Sequence, residues 1–205
     1  AVAGLSVPFN PRARMRPSLN APATDNAIFY QTYFQMVGVA EAELEADVRR
    51  TIINTLIGLS GDALDLSAEL QMMVPRDGGW LTHKRATATL PAWLHERDID
   101  FYAGEFARSG FCGALSWYRN IDRNWEQMAP WSNAVLSTPS LFMAGDRDLV
   151  LGFKGMDQLI PNLKARLPGL RTSRILPGCG HWIQQERPDE VNAALIAFLD
   201  GTMKR

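Results

Sequence analysis

Ser140-Leu141-Phe142-Met143-Ala144-Gly145-Asp146-Arg147-Asp148 is the stretch on which the fold turns. Its apolar run lies between Pro139 and Gly145 and is too short for a helix, so it reads as a buried strand. Residues 154–165 then predict a helix that Pro161 interrupts. Arg171 to Leu176 predicts a second strand. Asp189 to Leu199 predicts an amphipathic helix that buries Val191, Leu195, Phe198 and Leu199. Strand, helix, strand and helix at this spacing form a βαβα unit, the signature of an α/β protein with a mostly parallel sheet.

Upstream the pattern changes. Ala1 to Phe9 is apolar from its first position and predicts a further buried strand of a parallel sheet. A buried strand is an odd way to open a domain, and the expectation is that the chain starts part-way through a fold. Residues 10–25 have linker composition. Ile28 to Met36 predicts a helix. So does Glu41 to Leu56, with Leu44, Val48, Ile52 and Leu56 at intervals of four and acidic residues in its first turns. Residues 57–94 carry too many Gly and Pro breaks to phase. Asp98 to Arg108 predicts another helix, with Gly110 just past its end. The expected organisation is a core-strand remnant at 1–10, a helical insertion at 11–128 and the end of an α/β sheet at 129–205.

The composition is that of a soluble globular protein: 205 residues, 46% hydrophobic and 21% charged. A net charge of -1, with mixed signs along the chain, gives no reason to expect nucleic acid or an anionic membrane as partner. No signal peptide is visible, nor an apolar run of roughly 18 residues that could span a bilayer. A cytoplasmic protein is expected, with its two cysteines, Cys112 and Cys179, unpaired.

In a parallel α/β sheet, functional groups collect in loops after the carboxyl ends of strands. Two such loops stand out, Gly145-Asp146-Arg147-Asp148 and Gly178-Cys179-Gly180-His181-Trp182. A lone Asp after a strand is usually a turn or helix cap, and a lone His in a Gly-rich loop is mostly structural. Together, an acid followed by a late His has the order of the last two triad members in α/β-hydrolases. A general-base His needs a buried carboxylate on its other nitrogen to hold one tautomer and stabilise the imidazolium. Asp146 and Asp148 have the same parity, so spacing alone leaves both open.

Several segments carry a resemblance. Gly178-Cys179-Gly180-His181-Trp182, then Gln184-Gln185-Glu186-Arg187-Pro188 and Glu190-Val191-Asn192, resemble the histidine loop and final helix of soluble epoxide hydrolases. Trp117-Tyr118-Arg119-Asn120 with Arg123-Asn124-Trp125 is similar to a segment of their helical cap. Tyr30-Gln31 and Tyr33-Phe34-Gln35, followed by Gly38-Val39-Ala40-Glu41, resemble the opening of that cap. The resemblance implies an α/β-hydrolase fold, incomplete here, with a cap over 11–128. It implies His181 as the base that activates water, Asp148 as its orienting partner, and Tyr30 and Tyr118 as paired phenols. It further implies Gln31 and Trp182 as substrate contacts, an apolar epoxide as substrate, and no metal or organic cofactor. Tyr33 and Tyr102 are expected to be packing residues.

The family's nucleophilic aspartate lies in a Gly-His-Asp-Trp-Gly-like stretch. No Asp-Trp pair occurs in this sequence, and neither does Gly-x-Ser-x-Gly or a His-Gly pair. The resemblance therefore implies that the nucleophile half is absent, that this chain needs it for turnover, and that Ala1 to Phe9 and the strand at Leu141 have unpaired edges. The rival readings are a haloalkane or haloacetate dehalogenase-like hydrolase, and an inactive fragment that binds ligands or a complementary chain. Paired phenols favour the epoxide, whose opening requires a proton on oxygen.

Overall fold

The computed structural model describes residues 1–64, 67, 71–85, 87 and 89–203. The chain divides into two compact units. One comprises Ala1–Pro11, Leu59–Asp62 and Asn133–Arg205, and the other Arg12–Gly58 and Ala63–Ser132.

Among the described residues the strands are β1 (Val2–Leu5), β2 (Ala27–Phe29), β3 (Met73–Pro75), β4 (Ser140–Gly145) and β5 (Leu170–Leu176). The first unit is built on β1, β4 and β5, which form a parallel sheet in the order β1-β4-β5. Every residue of β4 is buried, as its apolar run requires of a central strand. Alternation sends its side chains into two clusters. Leu141 and Met143 pack with Leu176, Cys179, Ile183, Val191 and Phe198, and Phe142 and Ala144 with Leu163 and Leu167. Burying each large apolar side chain contributes about 1.5–3 kcal/mol. The helix Pro188–Met203 supplies Val191 and Phe198 to the first cluster.

Two expectations for this unit are corrected. The Leu141 strand has no unpaired edge, because β1 and β5 flank it. The strand expected over Ala1 to Phe9 stops at Leu5 and is not buried throughout: Val2 is 47% exposed and Val7 56%. Among the described residues β1 pairs with β4 alone, and Ser6 breaks it by entering the left-handed region at φ 64°. Pro161 acts as expected, leaving only the short helix Met156–Leu159 and a 3-10 turn at Leu163–Ala165.

The second unit is mostly helical, with β2 and β3 as a small antiparallel pair. The helix expected over Ile28 to Met36 is instead β2 followed by a single turn, Tyr30–Tyr33. Pairing of Ile28 with Val74 overrides the local helical preference; β3 lies in the segment that could not be phased. The helix expected over Glu41 to Leu56 is two, Val39–Ala46 and Val48–Gly58. They break at Asp47 (φ -150°, ψ 88°), whose carboxylate accepts the Arg50 amide at 3.0 Å and so starts the second helix. Glu96–Ser109 is helical as the pattern requires, and Gly110 ends it at φ 67°. Cys112–Arg119 and Ile121–Gln127 follow. Leu59–Asp62, inside the stretch expected to be one helical insertion, clusters with the sheet instead. Both cysteines are free, and no helix among the described residues is long and apolar enough to cross a membrane.

Candidate active site

In the sheet unit, β4 and β5 end side by side and their following loops meet. The Asp146 amide donates to the Leu176 carbonyl at 3.0 Å and the Arg147 amide to the Cys179 carbonyl at 2.9 Å. This approach requires Gly145, where a Cβ would lie 2.0 Å from the Cys179 oxygen. Asp146 and Asp148 then part. Asp146 accepts the Gly178 amide at 2.7 Å and thereby holds a turn in which Gly178 has φ 67°. Asp148 points the other way, is 3% exposed, and caps the 3-10 turn Leu149–Gly152 through the Val150 amide at 2.9 Å.

The Asp148 oxygens lie 3.0 and 3.1 Å from Nδ1 of His181. A carboxylate accepts, so of the two neutral tautomers the one with the proton on Nδ1 and the lone pair on Nε2 fits this contact. Of the two acids that spacing left open, Asp148 is the one that reaches the imidazole. His181 keeps 23% of its side chain exposed while the Asp148 side chain has none. The imidazole is reachable, and its partner is shielded from water.

The backbone around His181 is held at every peptide. The His181 amide donates to the Leu59 carbonyl at 2.9 Å, and the Ser6 hydroxyl donates to the His181 carbonyl at 2.6 Å. Glu186, 5% exposed, accepts the Gly180 amide at 2.9 Å, the Trp182 amide at 3.1 Å and the Gly61 amide at 2.9 Å. The Trp182 ring meets the imidazole edge-on, with centroids 4.9 Å apart. Nothing in the sequence pattern gives Glu186 a task or marks Leu59–Asp62. Gly61 was visible only as a helix breaker.

In the helical unit, Tyr30 begins the turn after β2, and Tyr118 lies near the end of the helix Cys112–Arg119. Their rings meet edge to face, 5.6 Å between centroids at 79°. Phe34 touches both, at 5.7 and 5.0 Å, and Trp80 packs on Tyr30 at 5.3 Å. Gln31 donates through Nε2 to the Tyr30 hydroxyl oxygen at 3.0 Å. Burial pushes the Tyr118 phenol above its ordinary value, so it stays protonated at neutral pH. Arg119 holds the helix end. It forks onto Glu41 at 2.6 and 2.8 Å and donates to the Phe34 carbonyl at 3.0 Å. That pairing draws the Glu41 carboxyl down to about 2.

Tyr33 is buried and donates to Glu43 at 2.7 Å; burial first, and then that bond, push its phenol above the ordinary value. Tyr102 packs edge-on against Phe101. The structure thus brings Asp148 to His181 in one unit, and Tyr30 with Gln31 to Tyr118 in the other.

A model of the alpha/beta hydrolase family matches residues 22–194. The chain belongs to that family. This alpha/beta hydrolase is 43% identical over 203 residues to epoxide hydrolase A of Mycobacterium tuberculosis, covering 98% of this chain and 61% of the relative. Among solved structures it resembles an epoxide hydrolase from an endophytic Streptomyces (TM-score 0.91, 46% identity), covering 98% of this chain and 60% of that one. Epoxide hydrolase A from Mycobacterium thermoresistibile is similar at a TM-score of 0.86 and 43% identity, with 98% and 62% covered. The chain spans about three fifths of the length of these relatives.

Proposed function

We propose that this chain is the portion of an epoxide hydrolase that carries the proton donors and the water-activating pair, with the helical unit as its cap. The observation that carries the reading is the Tyr30–Tyr118 contact, 5.6 Å between ring centroids, in a chain that also holds an Asp148–His181 pair. Opening an epoxide generates an alkoxide, far more basic than a phenolate at a pKa of about 10. Neutral phenols can therefore bind the epoxide oxygen and one of them can give up its proton as the ring opens.

The proposed chemistry has two steps. An aspartate oxygen attacks one ring carbon, the carbon–oxygen bond breaks, and its electron pair goes to the oxygen that takes the tyrosine proton. This leaves a hydroxyalkyl ester and a tyrosinate. His181 Nε2 then takes a proton from water, whose oxygen attacks the ester carbonyl and releases a vicinal diol. The imidazolium, steadied by Asp148, returns a proton so that the tyrosinate is again neutral. Gln31 orders the Tyr30 hydroxyl, and Trp182 gives the substrate an apolar wall beside the base. These 205 residues hold no Asp-Trp pair, so the reading assigns the nucleophile to sequence outside them.

The test is diol formation from styrene oxide by this chain alone, and by the chain fused behind the N-terminal part of the Mycobacterium thermoresistibile enzyme. The expected result is no turnover by the chain alone and turnover by the fusion that His181→Ala abolishes. Diol formation by the chain alone, lost in His181→Ala, would show that the nucleophile lies within it. Halide release from haloalkanes by a fusion that makes no diol would overturn the epoxide reading in favour of a dehalogenase.

A further inference from the structure

Three consecutive peptide units run through the histidine loop, and each is tied down. The unit between Cys179 and Gly180 donates its N–H to Glu186 at 2.9 Å. The next, between Gly180 and His181, donates to the Leu59 carbonyl at 2.9 Å. The third, between His181 and Trp182, is held at both ends: Ser6 donates to its oxygen at 2.6 Å and its N–H goes to Glu186 at 3.1 Å. With these planes fixed, φ and ψ of His181 are fixed, and only its side-chain torsions remain for Asp148 to set.

Glu186 contributes two of these ties and also reaches the segment that supplies another. Its Oε2 accepts the Gly61 amide at 2.9 Å, so one carboxylate holds the histidine loop and Leu59–Asp62 together. The same segment takes the Arg147 guanidinium on the Gly61 carbonyl at 2.8 Å, one residue before Asp148. The approach leaves no room for side chains. A Cβ on Gly180 would lie 2.3 Å from the Gly61 nitrogen, and one on Gly61 would lie 2.5 Å from the Gly178 oxygen. Among the described residues Glu186 forms no ion pair. A buried carboxylate is costly unless it is hydrogen-bonded, and three backbone N–H groups donating to it offset that cost.

We propose that Glu186 is a positioning residue for His181, aligning its ring with Asp148 by clamping the peptides on either side of it to Leu59–Asp62. The proposal rests on the reading of His181 as the base, but the contact it governs exists in the chain whatever the substrate. The amide of a glutamine keeps one acceptor oxygen, enough for the Gly61 and Gly180 N–H groups, and sets its NH2 against the Trp182 N–H, so Glu186→Gln removes the tie at the peptide after His181 while keeping the side chain's shape. The experiment records the low-field Nδ1 proton and ring nitrogen signals of His181 by NMR in the 205-residue chain, for wild type and Glu186→Gln.

Expected is a sharp Nδ1–H signal in the wild type and at least a tenfold faster loss of it to exchange in the variant, with backbone signals of β4 and β5 unmoved. An unchanged Nδ1–H signal in a folded Glu186→Gln chain overturns the proposal. Should that variant not fold, Glu186→Asp retains the buried charge but is too short to span all three N–H groups. It is expected to broaden the same signal, and an unchanged signal overturns the proposal here too. If neither variant folds, Glu186 is a folding residue and the proposal fails. Because the readout is the ring and not the diol, a normal ring response without turnover in the fused enzyme would reject the epoxide reading and leave the positioning role standing.

Discussion

His181 sits in a loop whose peptides all have named partners, packed so closely that Gly145 and Gly180 cannot carry a side chain. Tyr30 and Tyr118 are held differently, by edge-on and tilted ring contacts with Phe34, Trp80 and each other. The contrast fits what each group is proposed to do. A base must offer one nitrogen in one direction, and directional hydrogen bonds set direction. A phenol that donates to substrate must keep its hydroxyl for that purpose, so its ring is better fixed by faces and edges. The polar cost is displaced to the second layer, where Lys84 is 1% exposed beneath Trp80. Its ammonium lies 3.2 Å from the ring centroid and donates to the Gln71 and Trp80 carbonyls at 3.1 Å each.

The comparison breaks most easily at the acid. Asp148→Asn replaces an acceptor with a group that can donate to Nδ1, which favours the wrong tautomer. In the fused enzyme, diol release is expected to fall by about 10³–10⁴-fold, with the ester accumulating in single-turnover mass spectra. A fall below tenfold would remove Asp148 from the base's machinery.

The tyrosines sharpen it. Tyr30→Phe with Tyr118→Phe keeps every ring contact and deletes both hydroxyls. Ring opening is expected to slow by about 10²–10⁴-fold, while the urea midpoint of the chain changes little, because the packing survives. A large loss of stability would mean that the hydroxyls hold the structure and not only the substrate.

Lys84 tests the second layer. Burial lowers its amine to about 7 from 10.5, against the pull of Glu43. Between those values the unfolded chain holds a proton that the folded chain has released. Stability therefore rises with pH across the window, and below about pH 7 the folded chain bears the full cost of the buried charge. Urea unfolding of the wild type is expected to give a few kcal/mol more stability at pH 9.5 than at pH 6, and Lys84→Met is expected to flatten that slope. An equal slope in the variant would place the titration elsewhere.

Much of this was legible in the chain itself. The β4 run between Pro139 and Gly145, the alternation that divides its side chains between two clusters, and the Gly stop after Ser109 are local patterns, and local patterns follow from the periods of strand and helix. The order acid-then-histidine was legible too, because strand ends in a parallel sheet collect function at one edge. The break at Asp47 and the strand at Ala27–Phe29 were not. Each depends on a partner, the Arg50 amide in one case and β3 in the other, that periodicity does not register.

Spacing leaves Asp146 and Asp148 both open, and within the sequence only the family resemblance favours Asp148. Both lie in one turn with the same parity. Only the packed loops decide that Asp146 takes the Gly178 amide while Asp148 turns to the imidazole. Glu186 is the stronger case: its partners are 4, 6 and 125 residues away, and the farthest belongs to a four-residue segment with no pattern of its own. The chain's own pattern was enough for the strands β4 and β5, for the helices Glu96–Ser109 and Pro188–Met203, and for the residue types that stand at the strand ends. Tertiary structure alone decided which of those groups face each other, because hydrogen-bond direction and close backbone approach are properties of three-dimensional neighbours and leave no period along the chain.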